Sequence, residues 1–240
     1  MEEQQNNIVI QSTEDGSSTL FNSALNETYH SVKGALSESQ FVYIDRGLKP
    51  VLSQKKAIHI LEVGLGTALN ALLTLNTIPS DTTIFYTALE PYPISIELAN
   101  AYYASFLNDV PKLELLPKLI APTDERIIDI NNQFHFCNLQ NTIQTISFSK
   151  IETIYKNSGY IFQGFDLVYF DAFAPSKQPE MWTHEVFEIV SELMASNGLL
   201  TTYCAQGQFK RNLIALGFQL NVMPGHGGKK EMVTAIKTRL

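Results

Sequence analysis

The feature that most restricts the fold is an apolar run that ends in glycine. Ala57-Ile-His-Ile-Leu-Glu-Val63 leads at once into Gly64-Leu-Gly66-Thr67-Ala68, then into a helical stretch over Ala68–Asn76 closed by Pro79. Glycine lets a chain turn sharply and approach its neighbours closely, so a strand that turns on glycine into a helix opens a β–α unit. The pattern then repeats. A strand is predicted over 83–90 (TIFYTALE) and a helix over Pro93–Leu107. A short helix over Arg126–Asn131, a strand over Phe134–Cys137 and a helix over Ile143–Ile154 follow. Residues 165–173 (FDLVYFDAF) are apolar almost throughout, as in a strand covered on both faces. Trp182–Ala195 reads as a helix, Gly198–Ala205 as a strand and Phe209–Leu216 as a helix. Phe218–Met223 and Met232–Lys237, joined by the turn at Gly225–Lys230, read as an antiparallel hairpin. Strands alternating with helices predict an α/β, Rossmann-like, mostly parallel seven-stranded sheet with helices on both faces. Upstream lie a turn at Asp15-Gly16, a polar helix near Asn26–Ser39 and a short strand at Phe41–Ile44. The expected organisation is an N-terminal extension, 1–50, and one compact domain, 51–240.

Composition narrows the function classes. A 240-residue chain that is 45% hydrophobic can bury a core without a disulfide or a metal. A net charge of −7 argues against nucleic-acid binding through bulk charge, though not against a local basic patch. Residues 1–170 hold 10 Lys+Arg against 18 Asp+Glu, whereas residues 171–240 hold 7 against 6. Cys137 and Cys204 form no CxxC pair and sit in apolar runs, so both are expected to be buried small hydrophobes. His59, His135, His184 and His226 show no metal-ligand spacing, and no metal is expected. The start, MEEQQNN, is polar and acidic, unlike a secretory signal, and no apolar run approaches the roughly 18 residues that span a bilayer. A cytoplasmic setting without membrane contact is the expectation.

The glycine loop lacks the third glycine of a dinucleotide fingerprint, because Leu69 stands there, and no lysine follows to complete a phosphate loop. What remains is Glu62-x-Gly64-x-Gly66-x-Ala68, with Glu90 closing the next strand. An acid at that strand end is placed to accept hydrogen bonds from ribose hydroxyls. The combination is similar to the way the class I methyltransferase fold holds S-adenosylmethionine, which has no phosphates to cradle. Ala68 at the third small position implies a tighter fit. The plainer alternative is a ligand-free turn beside an ordinary strand-end acid.

The run Asp171-Ala-Phe173-Ala-Pro175-Ser-Lys177-Gln-Pro-Glu-Met-Trp182 follows the most apolar strand. Ligands of open α/β sheets sit outside the carboxyl ends of strands, where strand order reverses, so Asp171 and the glycine loop are expected to share a crevice. Phe173 there offers a face to a flat base; the plainer role for Asp171 is a helix cap and for Trp182 core packing. This run resembles the signature of the tRNA 5-methylaminomethyl-2-thiouridine methyltransferases, the MnmC/MnmD-type family. Three further stretches agree: the ExGxGTxxN pattern at Glu62–Asn70, NETYHSVKGALSES at Asn26–Ser39, and the segment from Thr202 to Met232 ending in PGHGGKKEM. The similarity covers nearly the whole chain.

The resemblance implies a class I fold and methyl transfer from S-adenosylmethionine to the aminomethyl nitrogen of the tRNA wobble uridine. It makes Asp171 the catalytic acid. It assigns Glu62, Gly64, Gly66, Thr67, Asn70 and Glu90 to the cofactor, with Asn138 where relatives carry an Asp against the adenine amino group. Tyr29, His30 and Ser31 match the N-terminal motif and are candidates for a substrate wall, with Phe173, Pro175 and Lys177. Lys177, Lys210, Arg211, Lys229 and Lys230 are candidates for phosphate contact. Expected partners are the tRNA anticodon region and a separate oxidoreductase that supplies the substrate. The chain shows no second glycine fingerprint before Leu240, so the stand-alone methyltransferase form, without flavin, is expected. Two rivals stay open: a spermidine-synthase-like methyl- or aminopropyltransferase on a small amine, and a non-catalytic S-adenosylmethionine-binding protein.

Overall fold

The computed structural model describes residues 7–104 and 112–238. It opens with a small antiparallel sheet of β1 (Ile8–Ser12), β2 (Ser18–Asn22) and β3 (Glu27–Thr28). Residues 35–52 then form one helical run, α1: α-helical over Ala35–Ser39, π-helical over Gln40–Leu48 and α-helical again over Lys49–Leu52. There follow β4 (Ala57–Val63), α2 (Leu69–Thr77), β5 (Thr83–Leu89), α3 (Ile96–Ala104), α4 (Leu116–Ile120), β6 (Ile128–Asn131) and β7 (Phe134–Leu139). The chain continues through α5 (Phe148–Asn157), β8 (Phe165–Phe170), α6 (His184–Leu193), β9 (Met194–Thr202), α7 (Gly207–Ala215), β10 (Phe218–Met223) and β11 (Met232–Lys237).

The main sheet runs β10-β11-β9-β8-β4-β5-β7-β6. β7, β5, β4, β8 and β9 are mutually parallel, while β11 runs antiparallel to β9 and β10 to β11. Successive side chains of a strand point to opposite faces, and this divides the core in two. Ile58, Ile60, Tyr86, Phe134 and Tyr169 pack under α1, α2 and α3. Leu61, Val63, Val168 and Phe170 pack under α5, α6 and α7, together with the two free, buried cysteines. Val42, Ile44 and Leu48 of α1 belong to the first cluster, so the helix that crosses residue 50 is part of the main core.

Three elements differ from the sequence reading. Phe41–Ile44 is π-helix, not strand. Its β-branched and aromatic residues suit either state, and tertiary packing decides: Val42, Tyr43 and Ile44 are all nearly fully buried between α2 and the ends of β8 and β9. Asn26–Ser39 is helical only from Ala35; its first residues instead pair β3 with β2. Arg126–Asn131 supplies β6, an antiparallel eighth strand beside β7, with a turn in which Gln133 N donates to Asn131 Oδ1 (2.8 Å). The remaining differences are at element ends. The helix predicted over Ile143–Ile154 begins at Phe148 on a Ser147 cap, and that over Trp182–Ala195 begins at His184 on Thr183. The helix expected to reach Leu107 is described from Ile96 to Ala104; residues 105–111, like the MEEQQN start, lie outside the described residues. No described helix is long and apolar enough to cross a membrane.

Candidate active site

Sequence-distant strands end side by side at the switch between β4 and β8. Asp171 N donates to the Val63 carbonyl (2.9 Å), Gly64 N to Leu89 (3.0 Å) and Glu90 N to Leu139 (2.9 Å). These bonds carry the parallel register past the strand ends and bring the glycine loop, Glu90 and Asp171 to one edge. A cleft of about 850 Å³ opens there, with Gly64, Gly66, Glu90, Asp171, Tyr29 and Lys177 among its walls.

The glycines have specific reasons. Gly64 has φ +89°, and a Cβ on it would lie 2.6 Å from the Asp171 carbonyl oxygen. Gly66, at φ +52°, faces the Tyr29 ring, which a Cβ would approach to 3.1 Å. Ala68 also sits at positive φ, +63°, as the residue preceding α2, a conformation that costs a non-glycine residue about 1–2 kcal/mol. The loop is tied down by Glu90: Gly66 N donates to its Oε2 (2.9 Å) and Tyr92 N to its Oε1 (3.0 Å). Burial raises the Glu90 carboxyl above its ordinary range despite these bonds.

Asp171 is held from two sides. Tyr43 Oη donates to Oδ1 (2.6 Å) and Asn70 Nδ2 to Oδ2 (2.9 Å). The same Asn70 amide donates to Glu62 Oε1 (2.9 Å), and Tyr86 Oη donates to Glu62 Oε2 (2.8 Å). Burial pushes the Asp171 carboxyl up to about 7; the bonds from Tyr43 and Asn70 and the charge of Lys229 pull against it, while Glu38 adds to it. Glu62, wholly buried, is raised well above the carboxylate range by the same cause.

The structure sorts the expected residues. Tyr29, His30, Ser31, Phe173 and Lys177 line the cleft with Gly64, Gly66, Glu90 and Asp171. Tyr29 meets Phe173 edge-on, with ring centroids 5.1 Å apart. Glu62, Thr67 and Asn70 are buried behind the loop and form no part of the cleft wall. Glu62 and Asn70 face Asp171 and the core instead, because the strand and helix that carry them point these side chains beneath the glycines. Asn138 is likewise fully buried behind the wall, its amide donating to the Ile120 carbonyl (2.9 Å); residues 141–144 line the cleft after β7. Pro175 is not in the wall, and Lys230 is exposed away from it. Lys229 lines the cleft but is committed, paired with the buried Glu38 and set over the Tyr203 ring at 4.3 Å. Lys210 pairs with Glu231 (2.8 Å), and Arg211 donates to Gln208 Oε1 (2.8 Å). Sequence reasoning missed Tyr43, Glu38 and Tyr203, which meet Asp171 and Lys229 only through long-range packing. No cluster of three or more metal-ligating side chains occurs among the described residues.

A parallel sheet closed by an antiparallel hairpin, with a glycine loop after its central strand and acids on the two flanking strand ends, defines the class I methyltransferase architecture. Residues 119–238 match the family model described as S-adenosyl-L-methionine-dependent methyltransferase, and the chain belongs to that family. Among curated proteins it is 29% identical over 225 residues to the tRNA 5-methylaminomethyl-2-thiouridine biosynthesis bifunctional protein MnmC of Cupriavidus metallidurans, covering 90% of this chain and 32% of that protein. The MnmC of Pseudoalteromonas atlantica is 29% identical over 247 residues, covering 96% of this chain and 33% of its own length. The chain thus spans about a third of these relatives, which bear the name that the Asp171 run resembles. The crystal structure of MnmC2 from Aquifex aeolicus shares the fold, with a TM-score of 0.72 at 22% identity over 97% of this chain and 72% of that one.

Proposed function

We propose that this chain methylates the aminomethyl nitrogen of the modified wobble uridine of tRNA, with S-adenosylmethionine as donor. The observation that carries the reading is Asp171: a carboxyl at the cleft, clamped by two donors and poised near pH 7, beside a glycine loop with no room for a side chain at Gly64. The cleft fits the donor. Glu90 faces it with lone pairs left for ribose hydroxyls, and the backbone of Gly64–Gly66 lies open to the methionine portion. When bound, S-adenosylmethionine supplies a methyl group already activated as a sulfonium.

The chain's own residues then position and deprotonate the acceptor. An aminomethyl group is mostly cationic at neutral pH, and the cleft acids Glu27, Asp171 and Glu180 suit its capture, Glu38 being already paired with Lys229. Only the neutral amine is nucleophilic. Asp171 accepts a hydrogen bond from the amine, orients its lone pair and takes the proton it releases, passing it to water. Tyr29, His30 and Phe173 form an aromatic wall suited to an unpaired base. Phosphate contact falls to the rim, where Lys177 is available, since Lys229 is already engaged with Glu38. The amine itself would be supplied by an oxidoreductase acting before this step.

The cleft acids would equally attract a polyamine, so the test has two arms. The protein is incubated with labelled S-adenosylmethionine and either bulk tRNA or spermidine precursors. Label in tRNA, located at the wobble nucleoside by mass spectrometry, supports the reading; label only in the polyamine refutes it. Asp171→Asn should bind S-adenosylmethionine normally and lose transfer by several orders of magnitude; full activity in that variant would remove Asp171 from the mechanism.

A further inference from the structure

We propose that Tyr43 is a positioning residue for this reaction: its hydroxyl, delivered by the π-helical segment of α1, fixes one oxygen of Asp171 and tunes the carboxylate that meets the substrate amine. The inference rests on the methyltransferase reading of the cleft. Tyr43 is 2% exposed and does not line the cleft, so it acts only through Asp171.

The hydroxyl is held from its own side. The Tyr43 ring packs on Tyr169 of β8, with centroids 5.3 Å apart. Thr201 Oγ1 of β9 donates to the Val42 carbonyl (2.9 Å), anchoring the π turn one residue before Tyr43. Gly47 brings the segment close to the sheet: a Cβ there would lie 2.8 Å from Thr201 Cγ2 and 3.1 Å from Tyr169 Cε1. Helix, β8 and β9 together aim the hydroxyl at Oδ1, while Asn70 of α2 occupies Oδ2 from the opposite side. Two donors on opposite oxygens fix the plane of a carboxylate and leave its other lone pairs for the cleft. π-Helical turns recur at functional sites, where the wider turn re-aims a side chain.

The charged and titratable groups around Asp171 come from every neighbouring element. They are Tyr43 and Glu38 on α1, Glu62 on β4, Tyr86 on β5, Tyr203 after β9, and Lys229 in the β10–β11 turn. Burial and the neighbouring Asp171 charge push the Tyr43 phenol well above its ordinary value. Tyr43 therefore stays a donor at every working pH and exchanges no proton. A donor to the charged form lowers a carboxyl pKa, so its removal raises that of Asp171.

The test is Tyr43→Phe, which deletes the hydroxyl and keeps the ring on Tyr169. Asp171 is followed by carbon-13 NMR of its labelled carboxyl in the protein without substrate. Its midpoint should rise by about one pH unit. In turnover, kcat should fall about tenfold with KM for S-adenosylmethionine unchanged, and the acid limb of kcat should move up with the midpoint. An unmoved midpoint overturns the proposal, as does a loss of kcat with an unmoved acid limb. If Tyr43→Phe fails to fold, 3-fluorotyrosine at position 43, a stronger donor of nearly the same shape, must lower the midpoint; no shift overturns the proposal equally. The NMR titration needs no tRNA, so failure of the functional reading shows separately, as absence of label transfer by the wild-type protein.

Discussion

Gly64→Ala is the substitution whose consequences the structure sets most sharply. Gly64 has φ +89°, and the added Cβ would lie 2.6 Å from the Asp171 carbonyl oxygen and 3.2 Å from its carbon. Both are backbone atoms and cannot swing aside. The left-handed conformation costs alanine about 1–2 kcal/mol, offset by about 0.4–1 kcal/mol from the stiffer unfolded chain. Relieving the overlap means moving the loop away from the end of β8, an overpacking cost of about 1–3 kcal/mol. The sum, about 1–5 kcal/mol, corresponds to a melting temperature lowered by about 2–20 °C in a chain of this size. Gly159 is an internal control: its φ is +84°, and a Cβ there meets nothing within 4 Å. Gly159→Ala therefore carries the conformational cost alone, about 0–1.6 kcal/mol, without the overpacking cost. Thermal and urea denaturation of both variants, with calorimetric titration of S-adenosylmethionine, separates the two contributions. Gly64→Ala should also lose donor affinity, because the loop and Asp171 move apart, while Gly159→Ala binds as the wild type. Equal melting temperatures for the two variants would refute the steric argument.

Two other predictions concern the cleft wall. Burial pushes His30 down to about 4, and its Nδ1 has no partner among the described residues, so the imidazole is neutral at pH 7. The folded state then binds fewer protons than the unfolded one. The stability tied to His30 is present above pH 6.5 and is lost as pH falls from there toward 4. Nitrogen-15 NMR should show a ring midpoint near 4, and a midpoint above 6 would contradict this. Lys229→Ala removes the cationic partner of the buried Glu38 carboxylate, leaving it the bond from Ser31 N, and should cost about 1–3 kcal/mol, whereas Lys230→Ala, at an exposed site, should cost almost nothing. Equal denaturation midpoints for these two variants would show that the Glu38–Lys229 pair does not support the fold.

Much of the scaffold was legible because it is local. The run Ala57–Val63 followed by glycines, the two-face-buried strand before Asp171, and the hairpin from Phe218 to Lys237 each satisfy a short-range rule of periodicity or turn chemistry. That Asp171 and Glu90 would meet at one cleft was legible because they close strands, and strand ends of a parallel sheet face one edge. Phe41–Ile44 and Arg126–Asn131 were misread for a common reason. Both are short segments whose state is set from outside: Phe41–Ile44 by the surfaces that bury it, and Arg126–Asn131, a half-polar edge segment, by pairing with β7. Glu62, Asn70 and Asn138, which the resemblance assigns to the cofactor, are buried and do not line the cleft, a matter of side-chain direction that sequence position does not give.

The sequence by itself determined the alternation of strand and helix, the glycine turn and the acids at the strand ends, since each depends on residues a few positions apart. Tertiary structure alone decided what surrounds those acids. Tyr43 reaches Asp171 across 128 positions of chain, Asn70 across 101, and Lys229 reaches Glu38 across 191. No local pattern encodes such pairings. They follow from the order in which the strands pack and from the burial of α1 against the sheet. Burial of the Asp171 carboxyl itself raises it to about 7, against the pull of Tyr43 and Asn70, and turns a strand-end acid into a group that can exchange a proton at neutral pH.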